Sequence, residues 1–410
     1  MRLRQVRPPV LMAYAAFVLV GINVGISGVL LPSQMASYGV DRATIGIIFF
    51  TGSAGFVLAS VSTGALIHRA GIRIALTAGG GAFVLAGLYL ATRPPSIAFV
   101  LAQLVLGYGT GVLESALNVY IAGLAGATTL LNRLHAFFGV GALVGPPLAT
   151  WILGFASWTV VWLVVAAACI PLVAGFLLAY PGPERSATDA HGAPVVRAVP
   201  DGPGPAPAPA PARAPRGMLH TALRDRGVQL GTAMLFVYVG VELGVGNWGF
   251  SYLVQARGLH ESIAGYTISG FWLGLTLGRF LISPIAARAG ATTAAMIYAC
   301  LAGITAAIAA AWLSPAAVAC VAFGLLGFFL GPVFPTTMAI VPRLTQPRLV
   351  PTAIGVMNAG AVIGGSALPW LAGTIAQNAG MQALLPFVLA LSLAQFAVWR
   401  PIAARLGRRD

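Results

Sequence analysis

Lysine is absent from this 410-residue chain, and all 23 basic residues are arginine. A phosphate-binding Walker loop needs a lysine to reach the nucleotide, so an ATP-driven pump within this chain is excluded. Acids are scarce at nine, and charged residues make up 8% of the chain against 58% hydrophobic. That is too little polarity to cover a water-soluble surface. Cysteine occurs three times, as Cys169, Cys300 and Cys320. Each lies inside an apolar run, at spacings that fit neither a disulfide framework nor a metal site. No close cluster of histidine, cysteine and acid suggests a metal, and no nucleophile has a supporting constellation. The sequence therefore predicts no enzyme, no metal and no cofactor.

What the chain has in place of charge is long apolar runs. A helix needs about 20 such residues to cross a bilayer, and twelve stretches qualify, from Val10–Leu31 to Gln382–Trp399. They predict an all-α membrane protein of twelve transmembrane helices in two six-helix bundles. Among the arginines, only Arg42, Arg93 and Arg257 fall on one side of that topology; the other twenty lie on the opposite side. By the positive-inside rule both termini are cytoplasmic, which makes this a multi-pass protein of the cell membrane, the inner one in a bacterium. The net charge of +14 is thus a topology signal and not a nucleic-acid footprint. Arg2, Arg4 and Arg7 precede an apolar stretch longer than a signal peptide's, with no cleavage site after it.

Residues 181–226 interrupt the apolar pattern between an N-terminal bundle, 1–180, and a C-terminal bundle, 227–410. The run Pro203–Pro211 alternates proline with alanine and glycine. It predicts a disordered, polyproline-like cytoplasmic spacer. Sliding the chain by 219 residues superimposes Phe17, Val18, Gly21 and Gly25 on Phe236, Val237, Gly240 and Gly244, and Arg69-Ala70-Gly71 on Arg288-Ala289-Gly290. A one-residue shift places Gly107 and Gly111 on Gly327 and Gly331. A six-helix unit has been duplicated, and the matched glycines mark close helix packing.

Two parallel six-helix repeats with a cytoplasmic linker resemble the major facilitator superfamily, whose members bind solute between the halves and rock to expose it to each side in turn. The loop Gly64 to Arg73 is similar to that superfamily's signature of glycine, acid, arginine, glycine and a final basic residue. Here Arg69, Gly71 and Arg73 fit, and His68 stands where the acid is expected. Arg288 and Gly290 form a looser second copy. The resemblance implies that this loop takes part in the conformational cycle. Glu114 to Tyr120, with Leu131 to Gly139, looks like the fucose permease branch of sugar:proton symporters and like related fungal transporters. Tyr238 to Glu242 and Gly331 to Thr337 are similar to those fungal proteins. The sugar symporters carry an acid in the first helix, where this chain has Asn23.

Buried charge in a membrane is costly, so intramembrane carboxylates mark function. Two are present, Glu114 and Glu242. Gln103, Gly107, Gly111, Glu114 and Asn118 recur every three or four residues, which places them on one helix face. Glu114 and His135 are predicted at similar depth across a helical hairpin, as neighbours, where a His135 or Arg133 charge favours release of the Glu114 proton. Glu242 lies near mid-membrane and its repeat equivalent is Asn23, so both are expected at a site between the halves. Downstream, Gly244, Gly246, Asn247 and Gly249 predict a weakened helix that unwinds over the solute. Tyr238, Trp248 and Trp272 are candidates for stacking on a sugar face; Asn118, Asn132, Gln103 and Asn247 are candidates for its hydroxyls. Each has a plainer alternative as a packing or helix-linking residue.

The predicted function is a proton-coupled secondary transporter of a small polar solute, a sugar or polyol. Proton coupling falls to Glu114, His135 and Glu242. The partners are the solute, protons and the lipid bilayer, with no nucleic acid and no obligate protein. A proton-driven exporter of drugs or metabolites is the alternative. A non-transporting sensor would carry a folded signalling domain, for which the linker is too poor in apolar residues.

Overall fold

In the computed structural model, residues 8–180 and 218–407 are described. Among them there is no strand, and eleven helical stretches are long and apolar enough to cross a membrane. One of these, Arg42–Ala91, runs for 50 residues. It is broken at Gly71, where φ is 84°. Only glycine takes that left-handed conformation freely, so the stretch makes two passes, α2 (47–70) and α3 (72–91), and the expected twelve are recovered.

The others in the first half are α1 (Pro8–Tyr38), α4 (Ser96–Ala122), α5 (Ala127–Leu153) and α6 (Trp158–Ala179). The second half holds α7 (Arg226–Gln255), α8 (Glu261–Arg288), α9 (Thr293–Leu313), α10 (Ala316–Leu330), α11 (Val350–Ala379) and α12 (Leu384–Leu406). Past Gly331 and Pro332, α10 resumes as a separate helix, Val333–Ala339. Proline lacks the amide donor that would have carried the ladder on.

The linker boundary needs correction. Residues Met218–Arg224, placed in the spacer by sequence, form a short helix. Asp225 then starts α7, its carboxylate accepting hydrogen bonds from the amides of Gly227 and Val228 at 2.8 and 3.0 Å. Such a cap satisfies donors that a helix start leaves free, so the second half begins earlier than hydropathy suggests. The proline run lies outside the described residues.

Pseudo-symmetry extends to individual backbone contacts. A methyl at Gly107 on α4 would collide with the Gly52 carbonyl on α2, and one at Gly327 on α10 would collide with the Phe271 carbonyl on α8. Gly52 and Phe271 are themselves repeat equivalents. Gly55 against Leu104 is matched in the same way by Gly274 against Gly324. Outward-facing residues are apolar, as Val61, Leu85, Ile97 and Leu178 are each more than two-thirds exposed. Hydrocarbon, unlike water, tolerates such a surface.

Candidate functional site

Between the halves lies a cavity of about 260 Å³. From α1 come Asn23 and Ser27, from α2 Phe49, Ser53 and Phe56, from α4 Gln103, Gly107 and Thr110, from α6 Trp162, and from α7 Leu243 and Asn247. The Asn23 carboxamide oxygen and the Trp162 indole NH are buried without a hydrogen-bond partner. Buried polar atoms are normally paired, so these two are available to a guest. The lining therefore mixes unsatisfied polar groups with aromatic faces.

One end of this cavity is shut by contacts between the halves. Arg42, just beyond α1, donates from Nη2 to Gln255 Oε1 at 2.7 Å and from Nη1 to Gln377 Oε1 at 3.3 Å. Trp370 donates from its indole to the Ala43 carbonyl at 3.1 Å, and Ser366 to Ser53 Oγ at 2.6 Å. Gly28 on α1 lies so close to Gly246 and Asn247 on α7 that no side chain fits between them. At the opposite end, where the chain termini emerge, no hydrogen bond or ion pair joins the halves among the described residues. His135, Phe137 and the last turn of α8 are exposed there.

Of the residues singled out in the sequence, Asn23, Gln103 and Asn247 line the cavity. Trp248 and Trp272 do not. Trp248 is fully buried, its indole donating to the Pro369 carbonyl at 2.8 Å and its ring edge-on to Phe49. Trp272 is 2% exposed and packs on Gly246. The aromatic walls are Phe49, Phe56 and Trp162 instead. Nor is α7 unwound: it is one helix through Gly244, Gly246 and Gly249. These glycines admit neighbours, Gly246 taking Trp272 and Gly249 taking Ile268 and Phe323.

Glu114 lies one turn beyond the cavity, between the buried Leu113 and Leu117. Its carboxylate has no hydrogen bond or ion pair among the described residues. The expected contact with His135 is absent, because α4 packs on the broken helix Ile47–Ala91 while α5 packs on α1 and α8. His135 instead lies edge-on to Phe17. Asn118 donates back to the Glu114 carbonyl at 2.9 Å, and Asn132 is exposed. Neither reaches the cavity.

Glu242 holds the one ion pair among the described residues, with Arg279 Nη2 on α8 at 3.3 Å. Tyr238, one turn before Glu242, is fully buried beside the pair. Arg279 was missed by sequence reasoning that searched the membrane for carboxylates alone. An arginine nine residues inside an apolar span was signal enough. Ser27, Ser53, Thr110 and Trp162 carried no such signal, since serine, threonine and tryptophan are ordinary in membrane helices.

In the last turn of α2, before the break at Gly71, His68 and Arg69 are exposed. Arg73 donates to the Tyr180 carbonyl at 2.7 Å, and the Tyr180 hydroxyl donates to the Pro9 carbonyl at 2.7 Å. These bonds tie α3, α6 and α1 within one half. Gly290 also has positive φ, 66°, and Arg288 is exposed at the end of α8.

Comparison with known proteins agrees with this architecture. The model of the Major Facilitator Superfamily matches residues 13–325 and again 230–409. Bypass of stop codon protein 6 of Saccharomyces cerevisiae is 27% identical, over 93% of this chain and 79% of its own. The glucose/mannose transporter GlcP of Bacillus subtilis is 24% identical, over 88% of this chain and 86% of its own. Among solved structures, the nucleoside transporter NupG superimposes with a TM-score of 0.73 at 13% identity, over 95% of this chain and 99% of its own. The Escherichia coli fucose:proton symporter FucP gives 0.60 at 16% identity, over 96% and 98%. The chain belongs to the Major Facilitator Superfamily, a family of non-enzymatic membrane carriers.

Proposed function

We propose that this carrier moves a small hydroxylated solute, a sugar or polyol, together with protons by alternating access. The observation that carries the reading is the cavity between the halves. It is walled by Asn23, Gln103, Asn247 and aromatic rings, and sealed at one end only. Amides pair with hydroxyls as both donors and acceptors, and apolar sugar faces lie well on rings. A volume of about 260 Å³, just under the ~300 Å³ at which pockets for drug-sized ligands begin, suits a monosaccharide better than a bulky drug. Relatives described as a glucose/mannose transporter and a fucose:proton symporter support the same class.

On the arginine topology the open end is cytoplasmic, so this is an inward-open state in the cell membrane. Glu114 is the foremost proton carrier, as an unpaired carboxylate beside the solute path; His135 and Glu242 are the others. Gly71 and Gly290, with His68, Arg69, Arg73 and Arg288, belong to the loops assigned to the conformational cycle in this reading. No protein partner is required by this mechanism.

Counterflow in proteoliposomes with a panel of labelled sugars, with and without a pH gradient, tests the reading. Exchange of at least one sugar, and gradient-driven accumulation of the same sugar, are the expected results. Absence of exchange for every sugar and polyol would overturn it. In a cysteine-free background, a single cysteine at His68 should be labelled from the cytoplasm and one at Gly39 from outside. The reverse pattern would invert the topology.

A further inference from the structure

The helices α5 and α8, one from each half, are joined like a zip. Gly265 abuts Thr150 nearest the closed end, Ser269 donates to the Leu143 carbonyl at 2.6 Å, and Gly139 abuts Thr276. The next rung is His135 on α5 and Arg279 on α8, and it is open. His135 is exposed and the Arg279 side chain retains 30% of its exposure, with each in electrostatic reach of the other. When the terminal end closes, this rung is the next to meet.

Its chemistry is incomplete. The pair with Glu242 uses a single guanidinium nitrogen at 3.3 Å where a two-pronged carboxylate contact is available to arginine. Arg279 Nε is buried without a hydrogen-bond partner. Of the elements packed on α8, α5 brings Arg133 and His135, and α7 brings Glu242 and Tyr238. The spans of α10 and α1 bring no charged residue. With His135 unprotonated the empty cluster balances, because Arg279 cancels Glu242 while Arg133 is exposed and screened by solvent. One proton, whether on His135 or on Glu242, leaves a net positive charge, and enclosing that charge away from water is unfavourable.

We propose that the solute carries a carboxylate, which Arg279 binds through its free nitrogens with His135 facing it from the other half. A sugar acid would place its hydroxyls against Asn23, Gln103 and Asn247 and its carboxylate at the open rung. One proton and one carboxylate then bring the loaded cluster back to neutrality, so the rung closes either empty or with both aboard, and not with one alone. The inference rests on the sugar-carrier reading and specifies its substrate.

Binding of D-glucuronate and D-glucose, followed by tryptophan fluorescence and by counterflow, tests it. Glucuronate should bind more tightly by about tenfold or more, the scale of one charge-assisted bond, and more tightly at pH 6 than at pH 8. Because Arg279→Gln alone strands Glu242, the informative variant is the neutral pair Glu242→Gln with Arg279→Gln. It should still reach the membrane and lose the preference for the acid. His135→Ala should flatten the pH dependence. If wild type exchanges glucose as well as or better than glucuronate, the carboxylate proposal falls and the sugar-carrier reading stands. If neither solute nor any other sugar or sugar acid is exchanged, both fall. If the neutral pair keeps the acid preference, the ion pair is structural and the proposal fails.

Discussion

The two halves share a scaffold and differ in chemistry at the seam between them. By the repeat, Glu242 and Arg279 of the second half answer to Asn23 and Ser60 of the first, while Glu114 of the first answers to Phe334 of the second. Ser60 turns its hydroxyl back to the Phe56 carbonyl at 2.9 Å and binds nothing across helices. Yet the glycine contacts between α2 and α4 recur between α8 and α10, carbonyl for carbonyl. Close backbone packing leaves no freedom to diverge, since any side chain there collides. Positions outside these contacts are free to change, and there one half keeps an ion pair and the other a lone acid.

The sharpest break in this comparison is Arg279→Gln. Leaving a buried carboxylate unpaired costs ~3–5 kcal/mol in a closed interior, and partial exposure of this pair puts the expected loss at or below the lower figure. Ser60→Ala should be within ~0.5 kcal/mol of wild type. Thermal unfolding of the detergent-purified variants measures both, and equal effects would dissolve the asymmetry. Next, Gly107→Ala and Gly327→Ala should each destabilise by at least ~1–3 kcal/mol, as overpacked sites do. Their two melting shifts should match closely; tolerance of one and not the other would mean that the packing symmetry is superficial.

Glu114→Gln should leave stability nearly unchanged, as the carboxylate has no partner to lose. Counterflow should persist while a pH gradient no longer drives accumulation, leaving equal concentrations on both sides. Full gradient-driven uptake would move proton coupling to Glu242 and His135. The smallest effect is expected at the sealed end, where Arg42 holds two neutral glutamines. Arg42→Ala removes hydrogen bonds worth ~1 kcal/mol net, so external labelling of a cysteine at Ser27 should rise by about fivefold. No change would show that Trp370, Ser366 and the Gly28 crossing hold that end by themselves.

Hydropathy and the repeat together made the architecture legible, and Asn23, Gln103 and Asn247, singled out in the sequence, lie on the cavity wall. The misses share a cause. Trp248 and Trp162 are the same residue type in similar surroundings along the chain, but the Pro369 carbonyl on another helix occupies the first indole and no acceptor reaches the second. Glu114 and His135 have matching depth, and depth is all that a sequence supplies. Rotation of each helix about its own axis is set by which neighbours it packs against, and those were α2 and α3 for one, α1 and α8 for the other.

The sequence by itself determined the number of passes, the duplication, the end of the molecule that carries the arginines, and the two membrane carboxylates. Each of these follows from composition and period along one helix, because a bilayer fixes how long and how apolar a span must be. Only the tertiary structure decided that, among the described residues, Glu242 is answered by Arg279 and Glu114 by nothing, and that the zip between α5 and α8 stops at His135. Those pairings depend on azimuth and on contacts between distant segments, for which a linear chain carries no signal.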